Sequence, residues 1–63
     1  MTRQSVTKAQ YDALIEIADR GERLKARDLN IRPQTWAAIV TRGWVEVING
    51  HAFVTNAAWE AAA

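Results

Sequence analysis

Asn49-Gly50 stands between two short runs rich in β-branched and aromatic residues, Trp44-Val45-Glu46-Val47-Ile48 and His51-Ala52-Phe53-Val54. A two-residue connection of this kind favours a type I′ turn, which needs positive φ at both central residues, and Asn and Gly adopt that conformation most readily. The spacing predicts a β-hairpin late in the chain. Two strands alone bury too little apolar surface to be stable in water, so the remaining residues must supply a surface for them to pack on.

That surface should be helical. Thr7 is a favourable N-cap, and Gln10 three residues later completes a capping-box pattern. The periodicity predicts a helix from Lys8 to Arg20, with Tyr11, Leu14, Ile15 and Ala18 as its inward stripe. Glu16 and Arg20 are four apart on the outer side, where Asp12, Glu16 and Asp19 read as a solvated face. Gly21 follows the last basic residue, where a left-handed C-cap is expected.

Two short helices are expected between Leu24 and Arg42. Leu24 and Leu29 bracket Ala26 to Asp28 as a hydrophobic staple, and Asn30 can end that helix. Pro33 biases Arg32 away from helical angles and itself suits a first helical position, so the next helix runs from Pro33 to about Arg42 and stops at Gly43. On it Trp36, Ile39 and Val40 share the face expected to be buried. Gln34, Ala38 and Thr41 share the opposite face, flanked by Thr35, Ala37 and Arg42. Thr55 is placed to cap a last helix from Asn56.

The chain reads as one domain, residues 1–63 with a core over about 7–60, and of mainly α class with a small β-hairpin (α+β). A domain this short buries only roughly 60% of its unfolded surface. It has no cysteine for a disulfide or a thiolate zinc site, so its stability must come from packing Trp36, Trp44, Trp59, Tyr11 and Phe53. Trp36 and Trp44 are expected in the core, and Trp59 partly at a two-fold contact.

No apolar run approaches the roughly 20 residues that span a bilayer. The opening Met1 to Thr7 has one arginine and no apolar stretch, unlike a secretory signal. A soluble, cytoplasmic protein without membrane contact is expected. His51 is the only histidine, and no inward-facing carboxylate pair is apparent. The residues therefore predict no enzyme, no metal and no cofactor.

Net charge is +1, but its distribution is uneven. From Arg20 to Arg42, six basic residues (Arg20, Arg23, Lys25, Arg27, Arg32, Arg42) stand against Glu22 and Asp28 alone. The flanks hold Arg3 and Lys8 against Asp12, Glu16, Asp19, Glu46 and Glu60. A basic middle between acidic flanks points to an anionic partner.

Thr35-Trp36-Ala37-Ala38-Ile39-Val40-Thr41-Arg42-Gly43-Trp44-Val45 resembles the recognition-helix-to-wing passage of MarR-like and related small winged helix regulators. That passage typically reads Thr, an apolar residue, variable positions, another apolar residue, then Arg-Gly-Leu-Val. Phe53-Val54-Thr55 is similar to the strand that leads into the family's last helix, and the likeness spans roughly residues 7 to 60. It implies a winged helix-turn-helix of three helices, a two-stranded wing and a short C-terminal helix. The implied function is a transcriptional regulator, often dimeric, that binds double-stranded DNA with the 33–42 helix in the major groove.

On that footing Gln34 would pair with adenine, Thr35 and Thr41 would reach a base or phosphate, and Ala38 would touch a thymine methyl. Arg32, Arg42, Lys25 and Arg27 would hold phosphates, and His51 would touch phosphate or minor groove from the wing. The passage from Leu24 to Trp36 is shorter than the family's, which predicts a second helix of barely two turns. The wing tip has two residues and no arginine or lysine, and Ala57-Ala58 replace a family glycine. The bare wing and uncharged helix face keep a second reading open, a small interaction module of phage or mobile-element type. Such a module would bind a host protein through the winged helix surface instead of DNA.

Overall fold

The computed structural model describes residues 6–62. Its elements run α1 (Lys8–Arg20), a single 3₁₀ turn (Ala26–Asp28), α2 (Pro33–Thr41), β1 (Val45–Ile48), β2 (His51–Val54) and α3 (Asn56–Ala62). The layout is α+β, three α-helices with a two-stranded antiparallel hairpin. Residues 1–5 and 63 lie outside the described residues. With them go Arg3 of the acidic flank, most of the opening stretch that lacks a signal pattern, and the last residue of the alanine-rich end.

α1 starts with the reciprocal bonds of a capping box. The Gln10 amide donates to Thr7 Oγ1 at 3.1 Å, and the Thr7 amide donates to Gln10 Oε1 at 3.2 Å. Its inward face differs from the expected stripe. Ala13, Leu14 and Ile17 are buried, whereas Tyr11, Ile15 and Ala18 are exposed. Both stripes have helical spacing and share Leu14, so periodicity alone does not choose between them. The helix packs against both α2 and β2. A small residue at such a contact lets two backbones approach closely, and Ala13 supplies it.

The end of α1 departs further. Gly21 caps it in right-handed conformation, at φ −58° and ψ −32°, not in the left-handed one. Glycine is required here for space, because a Cβ would collide with the backbone carbonyl of Ala52 in β2. The expected second helix shrinks to one 3₁₀ turn. Its N-cap, Lys25, gives no side-chain hydrogen bond to the exposed amides of a longer helix. The Ala26 amide instead donates to the Gly50 carbonyl at 2.7 Å, which ties this segment to the hairpin.

α2 has Pro33 in its first turn and ends in a Schellman motif. The Trp44 amide donates to the Ile39 carbonyl and the Gly43 amide to the Val40 carbonyl, both at 3.0 Å, with Gly43 at φ +74°. Asn49 (φ 53°) and Gly50 (φ 81°) then form the type I′ turn. The register pairs Val45 with Val54, Glu46 with Phe53, Val47 with Ala52 and Ile48 with His51. Thr55 closes the hairpin, its amide donating to the Trp44 carbonyl at 2.9 Å and its hydroxyl to the Gly43 carbonyl at 2.8 Å.

The core gathers Ala13, Leu14, Ile17, Leu29, Ile39, Trp44, Val45, Ala52 and Ala58. Trp44 is buried at 2% exposure. Trp36 is only half-buried and packs against the core from outside it, and Trp59 is exposed. No helix among the described residues is long and apolar enough to cross a membrane.

Candidate functional site

α2 lies on the core through Ile39, which has 0% exposure. Successive helical residues turn by about 100°, so Trp36 and Thr35, three and four before Ile39, fall within about 60° of it, and Ala38 stands about 100° away on the Thr35 side. All three are half-buried. The outward face is then Pro33, Gln34, Ala37, Val40 and Thr41, every one exposed and none charged. Val40, expected inside, is 41% exposed. It stands about 100° from Ile39 on the Trp36 side, about 40° beyond Trp36, which is itself only half-buried.

Arginines bracket this uncharged face. Arg32 is the N-cap of α2 and Arg42 its C-cap. Ten residues at about 1.5 Å rise separate their Cα atoms by roughly 15 Å. The Arg42 guanidinium lies 4.9 Å from the centroid of the Trp44 ring, a cation–π contact at the helix end where the macrodipole favours a cation. Arg32 lines a groove between α1 and α2 with Asp12, Glu16 and Thr35.

Charge pairing separates two regions. On α1, Lys8 pairs with Asp12 at 3.3 Å, and Arg20 reaches Glu16 and Asp19, each at 3.7 Å. Among the described residues, no ion pair joins Lys25, Arg27 or Arg32 to a carboxylate. The acidic helix largely neutralises itself, and the positive surplus remains between its end and α2.

The hairpin tip is fastened to that basic segment. Lys25 Nζ donates to the Asn49 carbonyl at 3.2 Å, and Lys25, Ala26, Arg27 and Gly50 line one shallow groove. A second groove shares Ala26 and Arg27 and continues past Leu29, Ile31, Pro33 and Trp36 to the start of α2. His51 Nδ1 lies 2.9 Å from the Gly21 carbonyl and 3.0 Å from the Leu24 carbonyl. Both partners are acceptors, so this nitrogen carries the hydrogen and donates. No family model, curated protein or solved structure matches this chain.

The residues singled out in the sequence therefore divide. Arg32, Gln34, Thr41 and Arg42 are exposed along or at the ends of α2, and Lys25 and Arg27 are exposed beside the hairpin tip. Thr35 and Ala38 sit half-buried at the flanks of the outward face. His51 is half-buried and braces the turn after α1, so its Nδ1 points inward. Val40 is the exposed residue that reading missed. Spacing alone did not settle it, because Ala38 and Val40 stand equally far from Ile39 on opposite sides and only the half-burial of Thr35 shows that the core lies towards Ala38. Among the described residues, no group of three or more His, Cys, Asp or Glu is gathered where a metal could bind.

Proposed function

We propose that this chain is a winged helix domain that binds double-stranded DNA as a regulator, with α2 laid in the major groove and the hairpin as its wing. The observation that carries this reading is the outward face of α2, uncharged along its length and bracketed by Arg32 and Arg42. A span of roughly 15 Å between the two arginines compares with a major groove about 12 Å wide. The helix ends would then meet phosphates on either rim while the uncharged face meets base edges. Lys25 and Arg27 extend the same positive side towards the hairpin tip, and the acids of α1 are paired within their own helix.

The test is an anisotropy titration of a labelled random-sequence duplex at two salt concentrations. If Lys25, Arg27, Arg32 and Arg42 each neutralise a phosphate, affinity should fall on the order of 100-fold between about 50 and 200 mM salt. Binding weaker than about 1 mM at low salt, or affinity indifferent to salt, contradicts the proposal.

One observation favours a second reading. Val47, Ile48 and Phe53 are large apolar residues exposed on the hairpin, as a protein-binding surface would present them. A protein partner in place of DNA takes precedence if the titration fails. Tyr11 and Ile15 on α1 and Trp59 on α3 are likewise exposed, which supports a homodimer, and sedimentation equilibrium decides that point.

A further inference from the structure

We infer that the outward face of α2 selects A·T base pairs over G·C. The inference rests on the DNA-binding reading and concerns which duplex that face prefers. In the major groove, guanine offers two acceptors best met by arginine or lysine, and cytosine offers a donor best met by a carboxylate. Pro33, Gln34, Ala37, Val40 and Thr41 include neither kind of side chain. The nearest cations are at the two ends of the helix, and the Arg42 guanidinium is held over the Trp44 ring.

What the face does carry matches the other pair. Thymine alone brings a methyl group into the major groove, and adenine presents a donor beside an acceptor. Val40 and Ala37 lie three apart and offer exposed aliphatic surface of a size to cover a methyl. Val40 cannot be explained by the core, because it is exposed where its helix neighbour Ile39 is fully buried. Gln34, on the same face, has the amide that can donate and accept together, the pattern that adenine complements. Thr41 is compatible with any base through its hydroxyl. The outward face thus has two apolar contacts and one bidentate amide for A·T, and neither the cation nor the carboxylate best suited to a G·C step.

Selection of bound sequences from a randomised duplex pool tests this, followed by titration of the selected duplex and of the same duplex with deoxyuridine in place of thymidine. Uridine keeps the base pairing and removes only the methyl. The selected pool should be enriched in A·T at the steps that α2 contacts. The deoxyuridine duplex should bind about fourfold more weakly for each methyl contacted. Val40→Ala should bind the two duplexes more nearly alike, with its melting curve little changed because the side chain is exposed. Gln34→Ala should lose about five- to 150-fold on the selected duplex and little on random duplex.

Enrichment of G·C, or equal affinity for the thymidine and deoxyuridine duplexes, overturns the inference while salt-dependent binding leaves the DNA reading standing. If the pool yields no bound duplex and random DNA shows no salt-dependent binding, both fall together.

Discussion

The ends of α1 and α2 look alike in sequence, Arg20-Gly21 and Arg42-Gly43, yet their glycines answer different physical demands. Gly43 sits at φ +74° with nothing within 4 Å of where a Cβ would be, so backbone conformation alone requires glycine there. Gly21 sits at φ −58°, open to any residue, but a Cβ would run into the Ala52 carbonyl. The first ends a helix by reversing the chain into the hairpin. The second lets the hairpin's second strand lie directly on the end of α1, where the His51 bonds to Gly21 and Leu24 hold it. A glycine after a basic residue therefore marks a helix end without saying whether conformation or space is its cause.

The largest effect should come from the residue that locks the end of α2. Trp44 follows Gly43 in the Schellman motif, is buried and lies beneath the Arg42 guanidinium. Trp44→Ala should cost about 3–5 kcal/mol, enough to unfold much of so small a domain at ambient temperature. A cooperative melt close to the parent's would show that the end of α2 does not depend on this contact.

Gly21→Ala comes next, at about 3 kcal/mol, because the colliding atom belongs to backbone and cannot rotate away. In a domain of this size that lowers Tm by more than about 12 °C. Gly21→Asn should be at least as harmful. A melt within a few degrees of the parent for either variant would mean that β2 does not rest on this turn.

The smallest effects belong to Gly43. Gly43→Ala should cost about 1 kcal/mol from left-handed strain, and Gly43→Asn about 0.5 kcal/mol because asparagine tolerates that region. The two glycines thus separate by their response to asparagine, mild at one end and severe at the other. Equal losses at both positions would erase the distinction.

What was legible in the sequence was local. The Thr7–Gln10 capping box, the Pro33 start, the Gly43 stop and the Asn49-Gly50 turn depend on residues a few positions apart, and all four stand in the structure where expected. What was not legible depends on neighbours distant in the chain. The stripe Tyr11, Leu14, Ile15 and Ala18 and the observed Ala13, Leu14 and Ile17 are both helical, and only the placement of α2 and β2 selects the second. The segment after Leu24 closes as a single 3₁₀ turn, with Leu29 already extended, and its Ala26 amide is tied to the Gly50 carbonyl, 24 residues on.

The candidate site shows the same division. Gln34 and Thr41 were readable from helical spacing as outward residues. Thr35 lies at the flank as expected, but Ala38 was drawn to the flank beside it, and Ala37 and Val40 turned outward, once the buried arc of α2 ran from Ala38 through Ile39 to Trp36. His51 was expected to reach phosphate or minor groove from the wing, and only the packing of the turn after α1 supplied the two carbonyls that hold its Nδ1.

The proposal that α2 faces DNA is tested most directly by following backbone amides in ¹⁵N–¹H correlation spectra as a duplex is added. The proposal predicts that the largest shifts fall on residues 32–42 of α2 and its caps, with smaller ones at Lys25, Arg27, Asn49 and Gly50. The amides of Tyr11 to Asp19 on α1 should stay in place. Shifts concentrated on α1, or on Val47, Ile48 and Phe53 with α2 unmoved, would contradict it.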